Sequence, residues 1–293
     1  ILGHAGSLDW FRSRIQERFE VKVRGRIGPE DKDDKGMRIL NRTVEWTSQG
    51  IRYEADQRHA EIIMRELGLG KSSSSLSAPA VRTEVEDEES MVYLEGAEAT
   101  KYRALVARGI YLSQDRSDIA YAVKELSRGM SKPTEDHMDA LKRLRRYLLG
   151  RPREVKVYGY QKGVKNIEVW TDTDFAGCKK TRKSTSGGVV MMGSHSIKTW
   201  SSTQAVVALS SGEAEFKGIV KGVIEGLFLK NFTAWLGHRM SVRKLSDSAA
   251  ALGMAKRLGC GKRVKHFEIP FFFIQHLVKD GIITLGKIGT NMN

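Results

Sequence analysis

The sequence Val169-Trp170-Thr171-Asp172 ends a predicted β-strand on an acidic residue. Around it, alternating and periodic apolar residues predict further elements. Strands are predicted at 155–160, 167–171, 188–192, 197–200, 242–245 and 282–287, and helices at 212–236, 248–257 and 267–278. Strands followed by a long helix, another strand, two helices and a last strand fit a mixed sheet flanked by helices. We therefore predict an α/β fold for residues 154–293.

Three acidic residues occupy positions from which they can meet at one edge of that sheet. Asp172 and Asp247 each end a predicted strand, and Glu215 lies in the first turns of the long helix. Grouped carboxylates bind Mg2+, which prefers oxygen ligands, and paired ions about 3.5–4 Å apart hydrolyse phosphodiesters. Simpler interpretations stay open at this point. Asp247 can cap the next helix, Glu215 can be a solvated acid that the dipole of its helix favours, and Asp172 can belong to a turn with Asp174.

The composition favours a polyanionic partner. The 293 residues carry a formal net charge of +14, and a basic protein of this size typically binds nucleic acid. The two cysteines, Cys178 and Cys260, are far apart and form no CxxC pair, which argues against zinc and fits a reducing compartment. There is no apolar run of 18 residues, and we do not expect the first residues to form a signal peptide because no basic stretch is followed there by an apolar core. A chain that begins at Ile1 and ends at Asn293 suggests a piece of a longer protein.

The rest of the chain divides into three predicted segments. Residues 1–70 are α+β, with helices at 8–19 and 57–67 and strands near 21–23, 37–46 and 51–53. Residues 71–92 are rich in Ser and Glu, which predicts a flexible linker. Residues 93–153 are helical, with helices at 98–112, 118–130 and 137–149.

The last of these helices is the most basic stretch of the chain. Lys142, Arg145 and Arg146 share one helical face, and no acidic residues interrupt the run. We predict a contact with a phosphate backbone; a solvated face is the alternative.

Six strings in the C-terminal region resemble the ribonuclease H domain of copia-type (Ty1/copia) retrotransposons, in the order known for that family. They are 170–178 (WTDTDFAGC), 182–188 (RKSTSGG), 200–204 (WSSTQ), 208–216 (ALSSGEAEF), 247–250 (DSAA) and 265–269 (KHFEI). Upstream, residues 101–123 resemble the connection between reverse transcriptase and ribonuclease H. Residues 1–70 resemble, more loosely, the end of the reverse transcriptase region.

The resemblance implies a ribonuclease H-like mixed five-stranded sheet, preceded by an α+β thumb and connection region derived from reverse transcriptase. It implies two Mg2+ or Mn2+ ions bound by Asp172, Glu215 and Asp247. Asp174 and Glu213 are reserve candidates, that is, alternative ligands in place of Asp172 and Glu215. The family's fourth acid follows the last strand, and we expect it beyond Asn293. Gly212, Ser248 and Gly289 depart from the family pattern without removing a ligand.

The basic loop after the first acid is a second candidate contact with nucleic acid. Lys179, Arg182, Lys183 and Ser184 can touch the phosphate backbone or the 2′-hydroxyl groups of a hybrid; a polar hairpin turn is the alternative. His266 can shuttle protons, or it can cap or pack the helix that follows it.

The implied function is endonucleolytic hydrolysis of the RNA strand of RNA–DNA hybrids during reverse transcription. The chain has no Tyr-x-Asp-Asp motif, so we expect its partner to be a reverse transcriptase palm encoded upstream. The implied location is intracellular, in a cytoplasmic virus-like particle or the nucleus. Two alternatives stay open: a catalytically impaired nucleic-acid-binding fragment of a degenerate polyprotein, and another nuclease of the same fold, such as a transposase or integrase core.

Overall fold

The chain is described by a computed structural model that covers residues 3–68, 74–81, 91–257 and 268–289. Residues 71–73 and 82–90 of the predicted linker, and His266, lie outside the described residues. The helices are α1 (Ala5–Gln16), α2 (Gln57–Glu66), α3 (Gly96–Ser113), α4 (Ala120–Arg128), α5 (Glu135–Gly150), α6 (Ser211–Trp235), α7 (Ala249–Lys256) and α8 (Glu268–Lys279). The strands are β1 (Gly36–Ile39), β2 (Arg42–Thr47), β3 (Gly50–Glu54), β4 (Val155–Gly159), β5 (Asn166–Asp174), β6 (Thr185–Met192), β7 (His195–Thr203), β8 (Ser241–Ser246) and β9 (Ile283–Lys287).

The N-terminal half combines an antiparallel sheet with a helical layer. Strands β1, β2 and β3 form a meander, and the predicted strand at 21–23 is irregular backbone instead. Helices α2 to α5 share one core, in which Ile63, Tyr102, Leu141 and Leu144 are fully buried. Asp56 caps α2, since its carboxylate accepts a hydrogen bond from the backbone N–H of Arg58 at the start of the helix.

Strand β4 belongs to this first sheet. We predicted a strand at 155–160 as the opening strand of the C-terminal region, but β4 pairs antiparallel with β3, with Ile51 opposite Tyr158. An alternating pattern identifies a strand without identifying its partner, and the edge left open by β3 lies about 100 residues away in sequence. The division of the chain into domains stays a prediction, and the C-terminal sheet begins at Asn166.

A short loop joins the two sheets. The side chain of Gln161 fastens it to the turn between β6 and β7, because its amide donates to the carbonyl oxygen of Met192 at 2.7 Å. Its own oxygen accepts a hydrogen bond from the backbone N–H of Ser194 at 3.0 Å.

The C-terminal sheet has the strand order β7-β6-β5-β8-β9. Strands β5, β6 and β7 are antiparallel neighbours, whereas β8 pairs parallel to β5 and β9 parallel to β8. Helix α6 connects β7 to β8, and in the chain α7 and α8 follow β8 and precede β9. The predicted ribonuclease H-like fold, a mixed sheet of five strands flanked by helices, is confirmed. No helix among the described residues combines the length and apolar character needed to cross a bilayer.

Three glycines let α6 lie close against this sheet. Gly218, Gly222 and Gly226 recur every four residues and face the sheet; Gly218 lies against β5 and β6, and the other two lie against β5 and β8. A methyl group added at Gly222 would lie 2.7 Å from Thr171 Cγ2 and 2.8 Å from Val169 Cγ1, closer than van der Waals contact allows. The absence of side chains on this face therefore sets the distance between the helix and the sheet.

We expect Gly222→Ala to destabilise the protein by about 1–3 kcal/mol, because an added methyl group in a packed interface forces the helix and sheet apart. The control is Gly253→Ala in α7, where nothing lies within 4 Å of the added methyl group. That change should stabilise by about 0.5–1 kcal/mol through helix propensity. Urea unfolding measured at the C-terminal region checks both, and equal effects of the two variants would contradict the packing argument.

Candidate metal centre

The C-terminal sheet brings the three predicted acids together. Asp172 lies near the end of β5, Asp247 directly follows β8, and Glu215 comes from the second turn of α6. One carboxylate oxygen from each residue lies within 4.8 Å of those of the other two. Because β5 and β8 run parallel, their carboxyl ends share an edge of the sheet, and α6 begins over that edge.

Glu215 is the most enclosed of the three acids. Its side chain is only 9% exposed, and Oε1 accepts a hydrogen bond from the backbone N–H of Thr173 at 3.0 Å. Oε2 is buried and has no hydrogen-bond partner among the described residues. Burial, followed by the charge of Asp172, raises the pKa of Glu215 to about 7, while the Thr173 N–H acts in the opposite direction. In the absence of a cation, this carboxyl group therefore keeps its proton to a higher pH than an exposed glutamic acid does.

The helix that follows Asp247 is capped by another residue. Ser248 is the N-cap of α7, and its hydroxyl accepts a hydrogen bond from the backbone N–H of Ala251 at 3.2 Å. Asp247 is therefore not needed as a cap, which removes the simpler interpretation considered for it.

The two reserve acids have different surroundings. Glu213 accepts a hydrogen bond from the backbone N–H of Leu209 at 2.9 Å and pairs with Lys217 at 2.8 Å, so its carboxylate secures the start of α6. Asp174 packs against the turn at Gly177, where an added methyl group would meet its carboxylate. Among the described residues, neither belongs to the carboxylate group.

A buried lysine, which the sequence analysis did not identify, lies behind the three acids. Lys244 in β8 is fully buried, and its ammonium donates to the carbonyl oxygen of Leu245. Burial lowers the pKa of Lys244 to about 7, and the negative charges of Glu215 and Asp247 act against that shift. The available signal was a lysine in the predicted strand 242–245, on the same alternating face as the apolar Val242.

The donor set fits a hard divalent cation. The three acids offer only carboxylate oxygens, and the unpartnered Oε2 of Glu215 is a buried acceptor that a cation would satisfy. Asp172 is exposed, so the group opens toward solvent on one side. Among the described residues, Asp172, Glu215 and Asp247 could together hold a cation such as Mg2+ or Mn2+.

The basic face of α5 is largely engaged within the protein. Arg145 is 6% exposed, and its Nε donates to the backbone oxygen of Met64 in α2 at 2.9 Å. Arg146 donates to the backbone oxygen of Ser74 at 2.9 Å, and Lys142 contacts Asp139 at 2.6 Å. The burial of Arg145 differs from the surface position that a phosphate contact requires, because helical periodicity shows which residues share a face but not what packs on it.

The basic loop between β5 and β6 lies at the same edge of the sheet as Asp172. Lys179 and Arg182 are exposed, and Lys183 is partly exposed. Ser184 is fully buried, and its hydroxyl accepts a hydrogen bond from the backbone N–H of Ala176 at 3.0 Å. Ser184 thus shapes the loop from inside, which differs from the predicted hydrogen bond to nucleic acid.

Comparison with known sequences identifies relatives among transposon polyproteins, although no family model matches the chain. The retrovirus-related Pol polyproteins from transposons RE1 and RE2 of Arabidopsis thaliana are 32% and 31% identical over 194 residues, 66% of this chain. The Pol polyprotein from transposon TNT 1-94 of Nicotiana tabacum is 32% identical over 179 residues, 61% of this chain. The aligned part spans 13% of each relative's length.

Comparison with solved structures gives partial overlaps. LC11-RNase H1, isolated from compost by a metagenomic approach, aligns with 44% of this chain and 88% of its own at 16% identity, with a TM-score of 0.35. A foamy viral protease-reverse transcriptase in complex with double-stranded DNA aligns with 87% of this chain and 38% of its own at 11% identity, with a TM-score of 0.49. Both TM-scores are below 0.5, so the fold is assigned from the strand order and the strand pairing of this chain.

These sequence relatives are of the same kind as the family that the six ordered strings resemble. Over about two thirds of its length, the chain is homologous to the retrovirus-related Pol polyproteins of Ty1/copia-like transposons.

Proposed function

We propose that the C-terminal region hydrolyses the RNA strand of RNA–DNA hybrids in a metal-dependent reaction. The carboxylate group of Asp172, Glu215 and Asp247 is the observation that carries this proposal. The fold and the Pol relatives support a nucleic-acid-hydrolysing domain of a retrotransposon at the coarser level. LC11-RNase H1 has also been solved in complex with an RNA/DNA hybrid. We further propose that the region acts with a polyprotein-encoded reverse transcriptase, inside the cell, in a virus-like particle or the nucleus.

The three acids differ in how exposed they are, and we propose different roles for them. Divalent cations, when bound, would supply positive charge to the scissile phosphate and acidify the attacking water. Asp172 faces solvent, where it is accessible to a substrate phosphate, while Glu215 and Asp247 are less exposed. Glu215 must release its proton for its carboxylate to bind a cation. Hydrolysis would leave a 5′-phosphate and a 3′-hydroxyl end.

Exposed basic residues in the loop after β5 are suited to contact the phosphate backbone of the hybrid. Lys179 and Arg182 project from the edge of the sheet that carries Asp172. Contacts with phosphates and 2′-hydroxyl groups recognise the shape of a duplex and not its sequence. We therefore propose that the region cleaves hybrids of any sequence.

A second candidate function is binding of the hybrid without efficient cleavage. The buried Lys244 and the raised pKa of Glu215 favour it, because both reduce the negative charge that would attract a cation. A net charge of +14 is compatible with either function.

We expect Asp172→Asn to reduce Mg2+-dependent cleavage of a labelled RNA–DNA hybrid by about 100-fold or more, because a neutral amide holds a cation poorly. The matched control is Asp174→Asn, two residues away on the same strand and outside the carboxylate group, which should keep cleavage within a fewfold of the wild-type rate. Cleavage that survives Asp172→Asn would exclude this site. Hybrid binding without cleavage by the wild-type protein would favour the second candidate.

The raised pKa of Glu215 predicts how metal-free stability depends on pH. Its folded-state pKa of about 7 exceeds the unfolded value of 4.5, so the folded protein binds the extra proton between these values and loses stability as pH rises through them. Gln imitates the neutral acid. In EDTA, Glu215→Gln should therefore stabilise by about 1–3 kcal/mol at pH 8.5 and by almost nothing at pH 4.

Thermal unfolding at both pH values measures this difference. Glu225→Gln, ten residues further along α6 and outside the carboxylate group, is the control and should show no such dependence on pH. Adding Mg2+ at pH 8.5 should raise the unfolding midpoint of the wild-type protein more than that of Glu215→Gln. A constant difference between wild type and Glu215→Gln across the pH range would contradict the assignment.

A further inference from the structure

We propose that Lys244 is a built-in counter-cation of the carboxylate group formed by Asp172, Glu215 and Asp247, and that it weakens the binding of divalent cations there. This inference rests on the proposed metal-dependent function. It concerns a residue that does not bind the cation itself but acts on the cation through charge.

The position of Lys244 follows from the register of the sheet. It lies in β8, opposite Val169 of β5 in the parallel pair, and three residues before Asp247. Its side chain extends into the space between the sheet and α6. A methyl group added at Gly222 would lie 3.6 Å from its Cε, in ordinary van der Waals contact.

Helix α6 leads from this point to Glu215. Methyl groups added at Gly226, Gly222 and Gly218 would meet Val169, Thr171 and Thr173 in turn, so α6 runs antiparallel to β5. Glu215 then accepts a hydrogen bond from the backbone of Thr173. Lys244 starts level with Val169, and its ammonium donates to Leu245, the next residue toward Asp247. The side chain is therefore directed toward the carboxylate group from inside the protein.

The ammonium of Lys244 is buried, which is unusual for a charged group and means that it needs compensating partners. Lys244 is 0% exposed, and a buried ammonium is strongly disfavoured unless negative charges or hydrogen bonds compensate it. Among the described residues, its ammonium donates a hydrogen bond to a neutral carbonyl oxygen, and the negative charges that act on it are those of Glu215 and Asp247. A space filler would not need a charge, since methionine fills a similar volume at a lower desolvation cost.

The electrostatic consequence has a definite sign. One ammonium behind three carboxylates reduces the negative charge that attracts an incoming cation. A divalent cation is repelled about twice as strongly as a proton at the same position, because the Coulomb energy scales with charge. Removing the ammonium should therefore strengthen metal binding even though it also strengthens the hold of Glu215 on its proton.

The experiment measures Mn2+ binding alone by isothermal titration calorimetry on the full 293-residue chain at pH 6.0, without nucleic acid. Lys244→Met removes the charge at similar volume, and Lys244→Gln removes it while keeping a polar donor. Each should tighten the dissociation constant of Mn2+ at least about threefold. Lys162→Met is the control: Lys162 is exposed in the loop before β5, at the other end of the sheet, and its loss should change nothing.

Asp172→Asn, alone and combined with Lys244→Met, shows whether the measured binding occurs at the carboxylate group. Tighter binding in both Lys244 variants that is lost with Asp172→Asn supports the inference. Binding that depends on Asp172 but is equal in wild type and both Lys244 variants overturns the inference and leaves the proposed function standing. Tightening by Met but not by Gln attributes the effect to packing and also overturns it. No Asp172-dependent binding in any variant overturns both proposals.

Discussion

Parallel pairing of β5 with β8 is the constraint on which the C-terminal region depends. Two parallel strands need a long crossover, and α6 provides it by passing over the sheet between β7 and β8. The crossover returns the chain so that both strands end at one edge, where Asp172 and Asp247 are close. Because α6 runs antiparallel to β5, its first turns lie over that edge and supply Glu215. The arrangement of carboxylates thus follows from topology and not from local loop structure.

The same packing encloses neighbouring carboxylates that repel one another, and it also places groups there that offset this repulsion. Glycines on the inner face of α6 bring the helix close enough to enclose Glu215, which raises the pKa of that acid. They also leave space for the side chain of Lys244 beneath Gly222. A proton on Glu215 and an ammonium on Lys244 both offset the repulsion among neighbouring carboxylates when no cation is bound. The protein can therefore fold around the group before it meets a metal ion.

The sequence was sufficient for features that depend on local pattern. Strand ends at Asp172 and Asp247 and the helix bearing Glu215 follow from hydrophobic alternation and helical periodicity, and the structure brings these three residues together. Features that depend on distant partners were not accessible. The alternation in 155–160 shows a strand but not that it pairs with β3, and the basic face of α5 does not reveal that Arg145 packs on α2. Lys244 was missed because strand patterns do not show how much space a facing glycine leaves.

The pairing of β4 with β3 affects where recombination between transposons of this kind can occur without disrupting a sheet. Six residues, 160–165, separate β4 from β5, and no strand pairing of either sheet falls within them. A recombination breakpoint in this loop would leave both sheets whole and would transfer the carboxylate edge as a unit. A breakpoint between α5 and β4 would instead separate the first sheet from its fourth strand and expose the unpaired edge of β3 to other chains. Of these two breakpoints, the one after Gly159 is therefore better tolerated, and it lies just inside the region that family likeness alone would assign to the nuclease.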